Sequence, residues 1–203
     1  MSAEARFDGG QGKMTTGALR IALAGNPNCG KTTVFNAYTG ARQHVGNYPG
    51  VTVDRKEGHV RHGNADITLV DLPGTYSLTA YSMEELVARA ELGSGDVQAV
   101  INVVDASALE RNLLLTVQMM EMGLPVVLVC NMMDEARKAG VHIDMERLSA
   151  MMGIPVVSAV ARTGEGLQQA LGEVWRRPAP VAGAQLRRGH RRRSAGHVCH
   201  HQP

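Results

Sequence analysis

"GNPNCGKTT", residues 25 to 33, stands between the apolar run "LRIALAG" (19 to 25) and the helix-like "GKTTVFNAYTG" (30 to 40). The run reads as a buried strand and the later stretch as a helix closed by Gly40. Gly25, Gly30, Lys31 and Thr32 satisfy G-x-x-x-x-G-K-[ST]. In that pattern the glycines let backbone N–H groups wrap phosphates, the lysine reaches the β and γ oxygens, and the hydroxyl ligates magnesium. The plain alternative is a Gly-rich turn with a solvated lysine, and the strand–turn–helix placement argues against it.

Working outward, a loop "ARQHVGNYPG" follows, then "VTVDRKEGHVRHG" and "DITLVDLPG", which read as an antiparallel excursion at a sheet edge. The helix-like "SMEELVARAEL" leads to the strand "VQAVINVVDA" (97 to 106), and "LERNLLLTVQMMEMG" is an amphipathic helix ended by Gly123. "LPVVLVCNMMD" is a buried strand running into a polar turn, "GIPVVSAVARTGEG" a short strand and loop, and "LQQALGEVW" a closing helix. Strands alternating with helices predict an α/β fold of the P-loop NTPase type. The sheet is expected to have six mostly parallel strands with helices on both faces. Ligands of such sheets bind at the carboxyl ends of the strands, and every polar cluster below lies at one.

The chain has 203 residues, 44% hydrophobic and 20% charged, with a formal net charge of +2, enough for one sizeable core. Residues 18 to 176 are expected to form that one domain. Residues 1 to 17 carry acidic and Gly residues and no apolar segment, and read as a flexible leader, neither signal peptide nor anchor. From 177 onward "RPAPVAGAQLRRGHRRRSAGHVCHHQP" has no apolar period and reads as a disordered basic tail. Its "HVCHH", with His190, lacks the fixed geometry of a metal site, and its arginines read as solvated rather than as a nucleic-acid contact. No run approaches the roughly 18 apolar residues of a membrane span, so no membrane insertion by this chain is expected. The three cysteines, Cys29, Cys130 and Cys199, share no metal or disulfide spacing, which fits the cytoplasm.

"DLPG", Asp71 to Gly74, ends a strand, which places Asp71 to hold magnesium through water and the Gly74 amide to meet a γ-phosphate. In "NMMD", Asn131 to Asp134, the Asp134 carboxylate can accept from the ring N–H and exocyclic amine of guanine, donors that adenine does not pair. The alternative role for Asn131 or Asp134 is a helix N-cap. "SAV", residues 158 to 160, offers a backbone amide for the guanine oxygen. Thr52 in "YPGVTVDRKEG" suits a hydroxyl that closes on magnesium from a switch loop around 42 to 54, or else a β-branched residue opening a strand.

These five elements, in this order, are those of a guanine-nucleotide-binding domain. The wording of "GNPNCGKTTVFNAYTG", "VGNYPGVTVDRKEG", "DLPGTYSL", "INVVDASALERNLLLTVQ" and "NMMDEA" resembles the cytosolic G domain of FeoB-type ferrous-iron transport GTPases, a Ras-like fold, from about Leu19 to Trp175. The resemblance implies GTP and GDP binding with Mg2+, slow hydrolysis, and regulation of a membrane iron-transport domain at the cytoplasmic face. Full chains of the family continue into helical and membrane domains, so this sequence reads as an isolated or truncated G domain.

The nucleotide contacts implied are Gly25, Asn26, Pro27, Asn28, Cys29, Gly30, Lys31, Thr32 and Thr33 from the phosphate loop, and Gly50, Val51, Thr52, Val53 and Asp54 from the switch. Asp71, Leu72, Pro73 and Gly74 follow, then Asn131, Met132, Met133 and Asp134, and last Ser158, Ala159 and Val160. Catalysis is expected from Asn28, Lys31, Thr52 and Gly74, with Thr32, Thr52 and Asp71 on Mg2+. The place after D-x-x-G, where many GTPases carry a water-orienting Gln, is Thr75. The resemblance instead implies K+ held by Asn28, neutralising charge between the β and γ phosphates. On residue chemistry alone, Asn28 equally suits a side chain bonded to its own backbone.

Met132 replaces the lysine of the common N-K-x-D and can supply only apolar contact, which predicts modest affinity and fast exchange. Cys29 sits where any small residue would serve, with an oxidisable thiol. Met119, Met120, Met122, Met151 and Met152 suit packed helix faces. Two further readings stand beside this one: a soluble GTPase of ribosome assembly or tRNA modification, and a nucleotide-binding switch without turnover.

Overall fold

The computed structural model describes residues 19–40, 43–63 and 65–176. The leader (1 to 17) and the basic tail (177 to 203) with its His-rich end lie outside the described residues. In chain order the elements are β1 (Leu19–Gly25), α1 (Lys31–Thr39), β2 (Gln43–Asn47), β3 (Asp54–His62), β4 (Ala65–Asp71), α2 (Met83–Gly93) and β5 (Ala99–Asp105). A 3-10 turn (Ala106–Ala108) then leads into α3 (Leu109–Glu121), β6 (Val126–Asn131), α4 (Met133–Lys138), α5 (Met145–Met152), β7 (Val156–Ser158) and α6 (Leu167–Arg176).

One sheet runs in the order β2-β3-β4-β1-β5-β6-β7. β3 is antiparallel to β2 and β4, and the remaining pairings are parallel. The sheet therefore has seven strands and not six. The seventh is β2, from a stretch that reads as loop: all five of its residues are exposed, so no buried face imposes a period on the sequence.

Side-chain alternation along the buried strands sorts the core into two faces. Ile21, Leu23, Ile101, Val103, Val127 and Val129 join Val34 and Phe35 of α1 and Leu167, Ala170 and Leu171 of α6. Ala22, Ala24, Val100, Val104, Leu128 and Cys130 face the other way, onto Ala88 and Leu92 of α2, Leu115 and Met119 of α3, and Ala136 of α4. Burying each large apolar side chain stabilises the fold by about 1.5–3 kcal/mol, so both faces of β1 and β5 hold the site's scaffold rigid.

Local signals set the helix starts. The Ser82 hydroxyl accepts from Glu85 N at 3.1 Å at the head of α2, a side-chain cap on an otherwise orphan donor. Asp144 caps α5 likewise, accepting from Arg147 N at 2.9 Å. Met119 is fully buried, while Met122 is 39% and Met151 76% exposed, so two of the five methionines expected on packed faces point to solvent.

Gly166, just before α6, has φ +79°, and a Cβ there would lie 2.0 Å from the Ser158 carbonyl oxygen. Gly166→Ala combines left-handed strain with a backbone clash, so it is expected to cost about 3 kcal/mol by urea unfolding. Gly140→Ala, at φ +75° but facing open space, is expected to cost only about 1 kcal/mol.

Candidate functional site

The parallel strands end together, and their carboxyl ends bring the sequence motifs to one rim. β1 ends at Gly25, β4 at Asp71, β6 at Asn131 and β7 at Ser158. The loop after β1 turns sharply into α1: Asn28 has φ 66° and Gly30 φ 83°. A Cβ on Gly30 would lie 2.3 Å from Asn131 Nδ2, so the close approach of the two loops requires glycine there. Lys31, the first residue of α1, is ion-paired with Asp71, and both side chains are nine-tenths buried or nearly so. Thr32 and Thr33 are exposed on the first turn of α1.

Asn131 is 2% exposed and is the joint of the rim. Its Nδ2 donates to the Cys29 carbonyl at 3.0 Å, and its Oδ1 accepts from Ala161 N at 2.9 Å. Asn131 therefore ties the phosphate loop to the loop after β7 and is not an N-cap. The N-cap position of α4 falls to Met132, at φ 61° and without a side-chain cap bond. Met132 Cε approaches to 3.4 Å of where a Gly30 Cβ would be, which puts its apolar arm against the phosphate loop. Met133 is buried in the core, so its side chain faces away from the rim.

Asp134 pairs with Arg162, Nη2 to Oδ2 at 2.5 Å. Desolvation pushes this carboxyl upward, but the hydrogen bond and charge of Arg162 outweigh it and hold it below the ordinary carboxylate range. Arg162 was not among the residues singled out from sequence, and no spacing signal marks it. Ser158, Ala159 and Val160 lie beside this pair, with Met133 N donating to the Ala159 carbonyl at 3.2 Å and Ala159 N to that of Cys130 at 2.8 Å.

Leu72 is buried, with Leu72 N donating to Leu23 O at 2.9 Å. Gly74 lies against Pro27, whose Cα is 3.5 Å from a built Cβ, so the D-x-x-G segment crosses directly over the phosphate loop. Thr75 N donates to Gly25 O at 3.3 Å, and Thr75 is buried at 4% exposure. Asn28 is exposed, and among the described residues its amide makes no hydrogen bond to its own backbone. Cys29 is 1% exposed, and burial pushes its thiol up to about 11, so the expected oxidisable thiol is shielded and protonated. Asn26 is 3% exposed and buried too, so any contact it makes to a ligand at the rim runs through its backbone.

The switch loop is built as a turn: Val51 N donates to Tyr48 O at 3.2 Å and Tyr48 N to Val53 O at 3.0 Å. Gly50 and Thr52 are exposed within it, Val51 and Val53 half-buried, and Asp54 begins β3. No hydrogen bond among the described residues ties Thr52 to the phosphate loop.

A sequence family described as Ferrous iron transport protein B matches residues 19–174. The Fe(2+) transport protein A/Fe(2+) transporter FeoB fusion protein of Porphyromonas gingivalis is 57% identical over 152 residues, 74% of this chain and 18% of that protein. The Fe(2+) transporter FeoB of Salmonella typhimurium is 53% identical over 154 residues, 74% of this chain and 20% of that protein. The chain thus spans about a fifth of the curated relatives' length. Among solved structures, an S. thermophilus NFeoB mutant bound to mGDP superposes with a TM-score of 0.75 at 47% identity, covering 78% of this chain and 60% of that one. The G domain of the T. maritima FeoB iron transporter gives 0.74 at 44%, covering 78% and 98%. With its Ras-like sheet and its phosphate loop, this chain belongs to the ferrous iron transport protein B family, and residues 19–174 are the family's N-terminal G domain.

Proposed function

We propose that this chain binds GTP and GDP with Mg2+, hydrolyses GTP slowly, and regulates ferrous-iron passage through a membrane domain at the cytoplasmic face. The observation that carries the reading is the pair of hydrogen bonds by which Asn131 donates to the Cys29 carbonyl and accepts from Ala161 N, joining a phosphate cradle and a base-reading loop into one site. The GDP bound to the solved S. thermophilus relative supports it. Family membership favours iron transport over a role in ribosome assembly or tRNA modification.

The residues fit the cation that GTP chemistry uses. Asp71 is a 7%-exposed carboxylate at a strand end whose charge is balanced by Lys31, and the Thr32 hydroxyl is exposed one residue on. Thr32 and Asp71, joined by Thr52 from the switch, would hold Mg2+, which neutralises phosphate charge when bound. Lys31 then exchanges the Asp71 carboxylate for the β and γ oxygens, so no buried charge loses its partner. Asp134 exchanges Arg162 for the two guanine donors in the same manner. The Gly74 amide, held over the phosphate loop by Pro27, donates to the γ-phosphate.

With Thr75 buried, the compensating charge is assigned to K+ at Asn28, whose exposed amide projects from a left-handed turn. Single-turnover hydrolysis is expected to run roughly tenfold or more faster in K+ than in Na+, and Asn28→Ala to abolish the difference. Equal rates in the two salts would remove the K+ role, and no hydrolysis in either would leave a switch without turnover.

Asp134→Asn is expected to weaken GDP binding by roughly two orders of magnitude and to shift preference toward xanthosine diphosphate, whose extra carbonyl accepts from the new amide. Competition titration with the two nucleotides checks it. Because Met132 supplies no charge at the base, GDP should bind the wild type with a Kd of about micromolar order. Calorimetric titration returning a nanomolar value would contradict this.

A further inference from the structure

The apolar face that carries α2 to α5 is interrupted by three asparagines. Asn102 is fully buried in mid-β5, Asn112 is 3% exposed on α3, and Asn26 is 3% exposed where β1 enters the phosphate loop. Asn102 Nδ2 donates to Thr116 Oγ1 and Asn112 Nδ2 to Ala108 O, each at 2.7 Å. Four atoms of these amides are buried without a partner among the described residues: Asn102 Oδ1, Asn112 Oδ1, and both Oδ1 and Nδ2 of Asn26.

Topology stacks these groups. The parallel register sets Asn102 beside Ala24, and Ala24 faces this side of the sheet. Asn26 lies two residues farther toward the carboxyl end, one residue past β1, and is buried there. Thr116 meets Asn102, and α3 runs back antiparallel to β5, so Asn112, one turn earlier, stands nearer the carboxyl rim, at the level of Asn26. The set holds three carbonyl oxygens and one amide nitrogen, whose two N–H groups cannot reach the oxygen of their own amide. At least one oxygen is therefore left to a donor from outside the set, and a small O–H donor fits the place. Buried amides in native proteins do find partners, and water is the usual one where protein groups are missing.

We propose that Asn26, Asn102 and Asn112 enclose an internal hydration site whose water ties the phosphate loop to α3. Asn26 is then a positioning residue. Its side chain never touches nucleotide but fixes the backbone from which Asn28 and Gly30 turn, and its effect on binding rests on the GTP reading above.

The hydration site itself needs no nucleotide. A crystal structure of this chain at high resolution is expected to show an ordered water within about 3.2 Å of the Asn26 amide and Asn112 Oδ1. A dry contact between the two side chains overturns the proposal. The functional arm is a double-mutant cycle of Asn26→Ala and Asn112→Leu on GDP dissociation, with thermal unfolding measured alongside. Each single variant is expected to release GDP roughly fivefold or more faster, and the pair together no faster than the worse single. Single-turnover hydrolysis by Asn112→Leu should stay within about twofold of wild type, since that side chain is remote from the phosphates. Asn112→Ser keeps a polar group for the water and should restore dissociation nearly to the wild-type rate, which also covers a leucine variant that fails to fold. Strictly additive effects, or an Asn112→Ser that releases GDP as fast as Asn112→Leu, overturn the tether. Wild-type protein that binds no GDP would sink the GTP reading while leaving the water to be decided by the crystal.

Discussion

The site depends on one buried side chain. Asn131 satisfies a backbone carbonyl of the phosphate loop and a backbone N–H of the loop after β7, and it does so at 2% exposure. Replacing it with an apolar residue would strand a buried donor and a buried acceptor, at about 1–3 kcal/mol each. The loss would also uncouple the phosphate loop from the loop after β7. Gly30 belongs to the same constraint, because only a residue without Cβ lets the phosphate loop come so near that amide. The motif glycine therefore answers both to the phosphates and to Asn131.

Two charged contacts at the rim have a common form. Lys31 with Asp71 and Arg162 with Asp134 each pair a residue of the sequence motifs with a partner of opposite sign. For the first pair, burial makes partnership obligatory: a lone Asp71 carboxylate or Lys31 ammonium at that depth would be heavily penalised. Arg162 is 68% exposed, so the second pair is largely screened and exchanges at little cost. Ligand binding at such a site swaps partners and does not create new buried charge. Under the proposed function, gains in affinity are then limited to the difference between partners, the ground for expecting GDP to bind with micromolar Kd.

Much of this was legible in the sequence because the signals are local. The strand–turn–helix at 19 to 40 follows from apolar runs and glycine, and "DLPG" and "NMMD" sit at strand ends as parallel topology requires. What escaped lies where local pattern is silent. β2 has five exposed residues and pairs on one side only, so its strand character comes from β3 and not from its own period. α5 has no fully buried residue and is set by Asp144 and Gly153 at its ends, a signal easily lost after the polar turn. Arg162 acquires meaning only when the chain returns to Asp134, 28 residues away in sequence. The reverse also occurs: Asn26, Cys29 and Thr75 belong to or adjoin motifs, but their burial turns their side chains from ligand to scaffold.

The switch loop shows how far that scaffold extends. Tyr48 is 7% exposed, with the Arg55 guanidinium 5.6 Å from its ring centroid. Arg55 pairs with Glu57 at 2.7 Å, and Arg20 of β1 bridges Glu57 at 2.7 Å and Glu91 of α2 at 2.8 Å. Burial alone would raise the Glu57 carboxyl, and the two guanidinium groups outweigh it and hold it low. A network of this kind fixes the base of the loop against β1 and α2, through groups that support one another's charge. Among the described residues, the backbone bonds that hold residues 49 to 53 to that base are Tyr48–Val53 and Val51–Tyr48. A rearrangement that carried Thr52 to a bound cation would therefore break those two turn bonds and leave β3 in register. In this architecture residues 49 to 53 form a five-residue tip on a stem held by that network, and under the proposed function the ordering entropy of closing on a nucleotide falls on that tip.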